Sequence, residues 1–466
     1  MIELSTKQVT QAVAGELFGD ATVLISGSVE TDSRLLKPGD LFVAKPGEVT
    51  DGHLFLTNAE RSGAVAAIVE RIVDEISIPQ IKVANSVLAL GMLAKFVLDQ
   101  VKESSDIKVI GITGSNGKTT TKNMLREILS KFGPTVAPNE SFNNEVGAPY
   151  SILQTNLQTK FLVVEMGAGG EGSIDYLAQI AKPDIGVVLK VGLAHVGEFG
   201  GIETTAKIKS ELVKALDVNA VAVLNADDGY VSDMASLTDA QKVWFGTSGD
   251  AGYQATNQKL SIEGTEFDLK WPDQKVSHVK LQILGEHHVM NALAALTVSD
   301  ILGLDREKSI SAIENMPLAE RWRMQVHNRA DGVTIINDAY NASPDSMKAA
   351  LQTLAQLGRS GRRTIAILGE MAELGSMSRE QHDALGRVVV RLDINQLVVV
   401  GQAAKLIHMG AEQEGSWGGE SKFFESIDDA LAFVRGMLMA GDLVLVKSSK
   451  SANLRHLGDT LMEVGS

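Results

Sequence analysis

The sequence predicts an α/β protein built from three domains, and three observations carry that prediction. The chain has 466 residues, whereas a single domain usually holds about 100 to 200 residues. Of its residues 44% are hydrophobic and 22% are charged, as in an ordinary globular protein. Short β-branched runs alternate with helical stretches along most of the chain, which is typical of parallel sheets covered by helices.

The charge balance and the residue inventory exclude several classes of protein. The chain has 58 acidic and 43 basic side chains, a formal net charge of −15. An acidic surface repels phosphate backbones, so we expect no nucleic acid among the partners. The sequence contains no cysteine, which excludes disulfides, thiolate metal sites and a thiol nucleophile. Any metal ion must therefore be held by oxygen or imidazole ligands.

The start of the sequence and its apolar runs argue against secretion and against the membrane. The first twenty residues lack both the basic start and the unbroken apolar run of a signal peptide. No segment reaches the roughly 18 apolar residues that a membrane-spanning helix needs. We therefore expect a cytoplasmic protein without membrane insertion.

The chain divides into three blocks of different pattern. The first block has short strands over 39–44 and 64–69 and a long helix over 87–101. A charged, serine-rich connector spans residues 101–108, which places a boundary there. A second boundary falls near residues 317–321, where the pattern of the middle block ends. We therefore predict domains over residues 1–105, 106–318 and 319–466.

The middle and last blocks each contain a series of buried-type strands separated by amphipathic helices. The middle series comprises the runs at 107–113, 161–165, 185–190 and 220–225. Between residues 240 and 285 apolar and polar residues alternate, which predicts antiparallel strands before a helix over 288–302. The last series comprises the runs at 333–338, 364–369, 396–401 and 442–447, with helices around 346–357, 379–390 and 428–439.

A glycine-rich turn between a strand and a helix is the strongest functional signal. The segment 107–129 reads IKVIGITGSNGKTTTKNMLREIL. Backbone amides in such a turn can cradle phosphate oxygens at a helix N-terminus, a lysine neutralises the β- and γ-phosphates, and a hydroxyl holds Mg²⁺. The common pattern has glycine at the position of Ile112, so this turn is a variant of the motif. The segment predicts a nucleoside triphosphate site formed by Gly114, Ser115, Asn116, Gly117, Lys118, Thr119 and Thr120.

Three further side chains lie where a metal ion beside the phosphates would need them. Glu165 ends the run at 161–165, and the carboxyl ends of parallel strands are where such sheets bind their ligands. His195 follows the next strand in a glycine-rich loop, and Lys207 lies in the helix after it. Taken alone, His195 could be a loop histidine bonded to a backbone carbonyl, and Lys207 could be a surface lysine. Only the joint pattern favours a metal-assisted site.

Seven motifs resemble, in order and spacing, those of the Mur ligases, ATP-dependent amide ligases that build the peptide of bacterial cell-wall precursors on a UDP-sugar. They are ITGSNGKTT (112–120), VVEMG (163–167), GLAHVGEFGG (192–201), TAKIKSE (205–211), LNADD (224–228), GEHHVMNALAA (285–295) and NDAYNASPDSM (337–347). The resemblance implies a small α/β UDP-binding domain, a central P-loop-type parallel-sheet ATPase domain and a C-terminal Rossmann-like α/β domain. The last of these would bind nucleotide and the incoming dipeptide.

Within the family, residues 31–55 resemble the UDP-binding domain of the members that add the third residue and the D-Ala-D-Ala dipeptide. The motifs SFNNEVGAP (141–149), YNASPDSM (340–347), LGEMAELG (368–375) and LVKSSKSANL (445–454) are similar to the dipeptide-adding member. The Asp-Asn-Pro-Arg signature of the diaminopimelate-adding member is absent. The resemblance therefore implies ligation of D-Ala-D-Ala to UDP-MurNAc-tripeptide through an acyl phosphate, with ATP and Mg²⁺. We expect a monomer, and the sequence leaves the oligomeric state undecided.

Three alternatives stay open at this point. The first is the ligase that adds the third amino acid to UDP-MurNAc-dipeptide. The second is a ligase of the folylpolyglutamate synthetase branch, whose loop usually continues GKGS where this chain reads GKTT. The third is a binding protein that keeps the loop but does not turn over. The sequence leaves the third residue of the peptide, diaminopimelate or lysine, undecided.

The resemblance also assigns metal and phosphate contacts. It gives Lys118 to the β- and γ-phosphates, and Thr119 and Glu165 to one Mg²⁺. A second Mg²⁺ falls to His195 and Lys207, because the family carbamylates the matching lysine with CO₂ and so makes it an anionic oxygen ligand. Lys207 is preferred to Lys209 because it follows a pair of small residues, Thr205 and Ala206.

The remaining contacts that the resemblance implies concern the nucleotide and the UDP-sugar. Asn291 resembles the adenine contact, and the C-terminal nucleotide contacts are Arg323, Asp338, Tyr340 and Asn341. Arg321 is the rival of Arg323. Contacts to the UDP-sugar or its peptide fall to Ser33, Arg34, Asn143 and Asn144. The residue that binds the dipeptide carboxylate is left open between Lys447 and Lys450, because LVKSSKSANL has Ser449 and Lys450 where many relatives read Gly-Ser-Arg.

Overall fold

The computed structural model contains one main β-sheet in each of the three predicted blocks, and the first block also holds a small two-stranded sheet. It describes residues 1–47, 50–138, 141–193, 199–316, 321–415 and 417–463. Each sheet formed by these residues lies within one block, so we propose domain limits after residues 105 and 318, the second of which lies outside the described residues. None of the helices in the described ranges is long and apolar enough to cross a bilayer.

The first block holds a five-stranded sheet in the order β2-β7-β6-β5-β4, in which only β2 runs antiparallel to its neighbour. The small pair β1–β3 stands beside it. The longest helix here begins where the Asn85 side chain accepts the Leu88 N–H at 2.9 Å. The elements are β1 (Leu4–Ser5), α1 (Thr6–Ala12), β2 (Glu16–Phe18), β3 (Leu24–Ile25), β4 (Val29–Glu30), β5 (Leu41–Val43), α2 (Leu56–Arg61), β6 (Ala66–Val69), β7 (Gln80–Lys82) and α3 (Ser86–Ser104).

The central block holds a nine-stranded sheet in the order β16-β15-β14-β13-β12-β11-β8-β10-β9. Its strands are parallel except at the β14, β15 and β16 end, where the predicted antiparallel strands lie. The elements are β8 (Lys108–Thr113), α4 (Lys118–Leu129), β9 (Thr135–Val136), α5 (Gly147–Ile152), β10 (Phe161–Glu165), α6 (Ser173–Ala181), β11 (Ile185–Val188), α7 (Ile202–Lys214), β12 (Val221–Asn225), α8 (Gly229–Asp233), β13 (Gln241–Gly246), β14 (Tyr253–Ser261), β15 (Gly264–Lys270), β16 (Val276–Leu281), α9 (His287–Ile301) and α10 (Arg306–Glu314).

The last block holds a six-stranded sheet in the order β17-β18-β22-β19-β20-β21, parallel except for β17. This is the Rossmann-like arrangement, so the fold class predicted from the sequence is confirmed. The elements are β17 (Gln325–Asn328), β18 (Thr334–Asn337), α11 (Pro344–Gly358), β19 (Thr364–Leu368), α12 (Ser378–Arg391), β20 (Gln396–Val400), α13 (Lys405–Gln413), β21 (Glu420–Phe424), α14 (Ile427–Met437), β22 (Leu443–Lys447) and α15 (Leu454–Glu463).

Helix α3 joins the first block to the second. Its buried side chains belong to one continuous apolar core that also contains the buried face of α6. Gly91 faces the Tyr176 side chain of α6, since a Cβ at this position would lie 2.0 Å from the Tyr176 hydroxyl oxygen. A side chain at Gly91 would therefore require the Tyr176 side chain to move.

Candidate active site

The phosphate loop has the geometry that the sequence predicts. Strand β8 ends at Thr113 and helix α4 begins at Lys118. Gly114 and Gly117 between them have φ values of +151° and +87°, which suit glycine. No side chain caps the first turn of α4, so its amides are available to an anion. The Lys118 ammonium donates to the Gly114 carbonyl at 2.7 Å and so lies over the loop.

The pKa of Lys118 reflects its crowded position. Desolvation lowers this pKa from its usual value, and the charge of Arg323 acts in the same direction. Glu165 raises it, which shows that the lysine and the carboxylate share one electrostatic environment. A cation held close to a buried carboxylate at the mouth of a phosphate loop suits a polyanionic ligand with its metal ion.

Glu165 lies at the centre of a buried polar cluster. It is 3% exposed, and its Oε1 accepts from Asn143 Nδ2 at 2.8 Å and from Thr119 Oγ1 at 3.2 Å. Ser141 Oγ is 2.8 Å from the same Thr119 hydroxyl. Glu165 Oε2 has no hydrogen-bond partner within the described ranges, and the Lys122 ammonium is 3.9 Å away.

This oxygen-rich cluster fits Mg²⁺, which prefers carboxylate and hydroxyl oxygens beside phosphates. A buried carboxylate oxygen without a hydrogen bond needs a cation or a donor to offset its desolvation. Thr119 and Glu165 are thus brought together as the sequence predicts. In the part of the chain that is described, no three His, Cys, Asp or Glu side chains cluster as a complete metal site. His195 lies outside the described residues.

The structure does not bring Lys207 into this site. Its side chain is 61% exposed, and its ammonium lies 2.7 Å from Glu171 Oε2. Lys209 is 3% exposed instead, and it lines the same cavity as Lys118. Burial, together with the charge of Lys118, lowers the pKa of Lys209 to about 7. The structure thus places Lys209 beside Lys118 and Lys207 at the surface, and which of the two lysines is modified stays a prediction.

Helical periodicity contains the signal that distinguishes the two lysines. Successive residues of an α-helix are turned by about 100°, so residues two apart lie on nearly opposite faces. The buried residues of α7 include Thr205, Ile208, Lys209 and Leu212, which follow the i, i+3, i+4, i+7 spacing of a buried stripe. Lys209 falls on that stripe and Lys207 does not. The small residues before Lys207 carried no such information.

A cavity of about 260 Å³ extends from the phosphate loop to the C-terminal block. The Arg323 guanidinium stacks 4.1 Å from the centre of the Tyr340 ring, and Lys447 Nζ lies 2.5 Å from Asp338 Oδ2. Arg321 points away and pairs with Asp459 at 3.2 Å, which favours Arg323. The lining residues are Ser115, Asn116, Gly117, Lys118, Thr119, Thr120, Ser141, Asn143, Glu165, His287, His288, Asn291, Arg323, Asp338, Tyr340, Asn341, Ser346 and Lys447.

The cavity thus gathers most of the nucleotide residues predicted from the sequence, together with several that were missed. His287 and His288 belong to the motif GEHHVMNALAA (285–295), in which only Asn291 is predicted from the sequence to contact the nucleotide. Ser141, Ser346 and Lys447 were not assigned to the nucleotide. Ser141 is recognisable only through its contact with Thr119, 22 residues away.

The C-terminal block is docked against the phosphate loop through the start of α11. Ser343 Oγ donates to Asn116 Oδ1 at 3.2 Å. Asp345 accepts the Leu193 N–H at 2.9 Å, and the Lys190 ammonium is 4.0 Å from the same carboxylate. The strand-end segment that leads toward His195 is therefore held between the phosphate loop and α11.

A second cavity, of about 520 Å³, lies between α3 and the central block. It meets the first cavity at Lys118 and Asn143, which line both. Its lining residues are Asn85, Val87, Leu88, Lys118, Asn143, Asn144, Glu145, Gly167, Ala168, Gly169, Ser173, Tyr176, Leu177 and Lys209. A ligand in this cavity can present one end to Lys118 and Lys209.

Ser33 and Arg34 line neither cavity. The Arg34 side chain is 84% exposed and pairs with Asp32 at 2.6 Å. Hydrogen bonds from Arg34 lower the pKa of Asp32 to about 2. Ser33 is buried, and its carbonyl accepts from Asn58 Nδ2 at 3.4 Å. Both residues lie on a surface loop of the first block.

Gly117→Ala should weaken nucleotide binding about 10- to 100-fold. The new Cβ would lie 2.2 Å from Asn291 Oδ1 in a left-handed conformation, and strain of this kind costs about 1–3 kcal/mol. Titration calorimetry with ADP measures the effect. Gly436→Ala is the matched control, because a Cβ there meets no atom within 4 Å. Unchanged affinity in Gly117→Ala would contradict the assignment of the loop.

The fold and the site together define a phosphate-loop, nucleotide-dependent enzyme whose site is closed by a C-terminal Rossmann-like domain. Three family models match the chain: "Mur ligase family, catalytic domain" over residues 27–97, "Mur ligase middle domain" over 112–299, and "Mur ligase, glutamate ligase domain" over 322–450. The chain therefore belongs to the Mur ligase family. The family and the enzyme class predicted from the sequence, an ATP-dependent amide ligase, are confirmed.

Individual relatives match over nearly the whole chain. The UDP-N-acetylmuramoyl-tripeptide--D-alanyl-D-alanine ligase of Mycobacterium tuberculosis (strain ATCC 25618 / H37Rv) is 39% identical over 99% of this chain and 98% of its own. The protein of that name from Escherichia coli (strain K12) is 33% identical over 100% of both chains.

Solved structures of similar proteins agree with the fold. MurF from Acinetobacter baumannii superposes with a TM-score of 0.90 at 32% identity, covering 99% of both chains. MurF ligase from Thermotoga maritima, solved in complex with ADP, gives a TM-score of 0.81 at 29% identity, covering 94% of this chain and 97% of that one.

Proposed function

We propose that this enzyme joins D-Ala-D-Ala to the terminal carboxylate of UDP-MurNAc-tripeptide and converts ATP to ADP and phosphate. The observation that carries the proposal is the end-to-end similarity, at 39% identity, to a ligase named for that reaction. The two cavities that meet at Lys118 also support it. One can hold the nucleotide, and the other can bring a carboxylate to the γ-phosphate.

The chemistry requires activation of the carboxylate. A carboxylate is a poor electrophile because its charge is spread over both oxygens. Transfer of the γ-phosphoryl group of ATP to it gives an acyl phosphate and ADP. The amine of the dipeptide then attacks the acyl carbon, a tetrahedral intermediate forms, and inorganic phosphate leaves as the amide is made. Lys118 offsets the repulsion between the phosphates and the incoming carboxylate and so positions them in line.

Glu165 and Thr119 would hold one Mg²⁺ ion, which supplies Lewis-acid stabilisation of the phosphoryl oxygens. Asn143 fixes the Glu165 carboxylate through a 2.8 Å hydrogen bond. Closure of α11 over the loop excludes water from the acyl phosphate, which water would otherwise hydrolyse. We also propose His195 as a ligand of a second Mg²⁺ ion.

We assign the carbamate to Lys209 rather than to Lys207. A buried amine whose pKa is lowered to about 7 has a far larger neutral fraction near physiological pH than an ordinary lysine, and only the neutral amine reacts with CO₂. The product is an anionic oxygen ligand on the wall of the second cavity, beside Lys118. Carbamylation also replaces the repulsion between two lysine ammonium groups with attraction.

We divide the proposed substrate contacts between the two cavities, with the peptide in the second and the nucleotide in the first. Asn143 and Asn144 would contact the peptide in the second cavity, and Ser33 and Arg34 the UDP group. The nucleotide contacts proposed in the first cavity are Asn291, Arg323, Asp338, Tyr340 and Asn341. Lys447 is held by Asp338. Lys450 is exposed and 5.5 Å from the Tyr340 ring, so we propose it for the dipeptide carboxylate.

We further propose that the enzyme works as a cytoplasmic monomer without a nucleic-acid partner. The net charge of −15 disfavours nucleic acid.

The test is a matrix of UDP-MurNAc-peptides against candidate amines, with phosphate release as the readout. We expect UDP-MurNAc-tripeptide with D-Ala-D-Ala to be at least about 10³-fold faster than UDP-MurNAc-dipeptide with diaminopimelate or lysine. A site with polar groups placed for one partner leaves them unpaired with the other.

Equal or greater activity with the dipeptide substrate would assign the chain to the preceding ligation step. Parallel reactions with lysine- and diaminopimelate-containing tripeptides identify the third residue. Omitting the amine gives the background release of phosphate.

A further inference from the structure

Lys122 is a buried cationic side chain to which the proposed reaction assigns no role. It lies on the buried face of α4, one turn after Thr119, and is 1% exposed. Its ammonium is 3.9 Å from Glu165 Oε2. Lysine is rarely buried so completely unless a negative charge lies beside it. The charge of Lys122 is therefore matched to a carboxylate of the candidate active site.

Helix α4 turns two groups toward the two oxygens of this carboxylate. Thr119 Oγ1 lies 3.2 Å from Glu165 Oε1, and Lys122, three residues later on the same face of the helix, lies beside Oε2. A separation of 3.9 Å is too long for a hydrogen bond, and Oε2 accepts none from the described residues. The ammonium thus offsets the charge of Glu165 through space and leaves this oxygen open to a metal ion.

The stability of the fold alone does not account for a lysine at this position. A buried ion pair is usually no more stabilising than apolar side chains of the same volume, although the loss of one partner is costly. Without a divalent cation, the Lys122 ammonium compensates the desolvated charge of Glu165. Once Glu165 binds such a cation, the same ammonium repels it, because like charges at short range interact strongly in a buried site.

We propose that Lys122 is a positioning residue that limits the affinity of the Glu165 site for Mg²⁺. It holds the carboxylate in place before the metal ion binds. It then weakens the binding of the ion, so that Mg²⁺ can leave with ADP at each turnover. This inference rests on the proposed Mg²⁺ site at Thr119 and Glu165, and it does not depend on which peptide the enzyme extends.

The test is calorimetric titration of ADP into the enzyme in excess Mg²⁺ and in EDTA. The dissociation constant in EDTA divided by that in Mg²⁺ measures how much the metal ion adds to nucleotide binding. Lys122→Met keeps an unbranched side chain but removes the charge, and we expect it to raise this ratio about 10-fold or more over wild type. Damage to the structure of the site would lower the ratio instead. Lys131→Met, at an exposed position just after α4, is the matched control and should leave the ratio unchanged.

Thermal unfolding in EDTA tests whether Lys122 compensates the charge of Glu165. Lys122→Met should unfold about 5 °C or more below wild type, because Glu165 is left buried without this counter-charge. The double variant Lys122→Met/Glu165→Gln removes both charges and should recover most of the loss. If the single variant does not fold at all, a folded double variant demonstrates the same compensation.

An unchanged or smaller ratio in Lys122→Met, or equal unfolding losses in the single and double variants, would overturn the proposal. A rise of the same size in Lys131→Met would also overturn it, because net charge would then explain the effect. A wild-type enzyme whose ADP affinity does not respond to Mg²⁺ would refute the metal site at Glu165 and this proposal with it. A normal response of the wild type with an unchanged ratio in the variant refutes only the role of Lys122, so the two failures are distinguishable.

Discussion

Lys118→Ala is expected to lower the rate of ligation about 10⁴-fold while the protein stays folded. The ammonium lies over the phosphate loop, and removal of a cation from a transferring phosphoryl group commonly costs 10³- to 10⁵-fold. The side chain stands at the start of a helix and outside the apolar core, so its loss should hardly affect unfolding. Phosphate release under single-turnover conditions and thermal unfolding of the variant measure the two effects.

Lys131→Ala is the control for this experiment. Lys131 follows the same helix but is exposed, so its replacement removes an equal charge at no functional position. Near-normal turnover by Lys118→Ala would refute the assignment of the phosphate loop. A large loss in the Lys131 variant would point to an effect of net charge.

Lys209→Ala is expected to lower activity about 10⁴-fold, whereas Lys207→Ala should stay within about threefold of wild type. Only Lys209 is buried beside Lys118, while Lys207 pairs with Glu171 on the surface. Exposed ion pairs of the latter kind contribute about 1 kcal/mol at most. Steady-state assays of the two variants, purified in parallel, make the comparison.

The chemical form of the lysine can be read separately from activity. Enzyme prepared in ¹³C-bicarbonate should show a carbamate carbon resonance in wild type and in Lys207→Ala, and none in Lys209→Ala. Acetate or formate should partly restore the Lys209→Ala variant by supplying a carboxylate in the vacated space. A resonance that disappears in Lys207→Ala instead would return the assignment to Lys207.

Most of the fold could be predicted from local patterns in the sequence. The segment from β8 to α4 was predictable because a strand, a glycine-rich turn and a helix follow within 23 consecutive residues. Glu165 was predictable because its register beside Ile112 follows from parallel pairing of two buried strands. Both inferences use interactions between near neighbours or between strands of one sheet.

The features that could not be predicted depend on contacts between distant parts of the chain. Ser343 and Asn116 are 227 residues apart, and no periodicity in either segment indicates their contact. The approach of Tyr176 to Gly91 similarly depends on how α3 packs on α6. The burial of Lys209 could have been predicted from helical periodicity. The small residues Thr205 and Ala206 in the same segment favoured Lys207 instead.

The docking of α11 on the phosphate loop makes the nucleotide a cross-link between two domains. A ligand that contacts both walls of the cavity shifts the equilibrium between the arrangement with α11 docked and the arrangement with α11 released. The size of the shift equals the difference between the affinities of the ligand for the two arrangements. The apparent dissociation constant then contains the fraction of molecules already docked as well as the local contacts. Part of the binding free energy of the nucleotide is thus used to hold the docked arrangement. The second substrate then binds to a protein that is already docked.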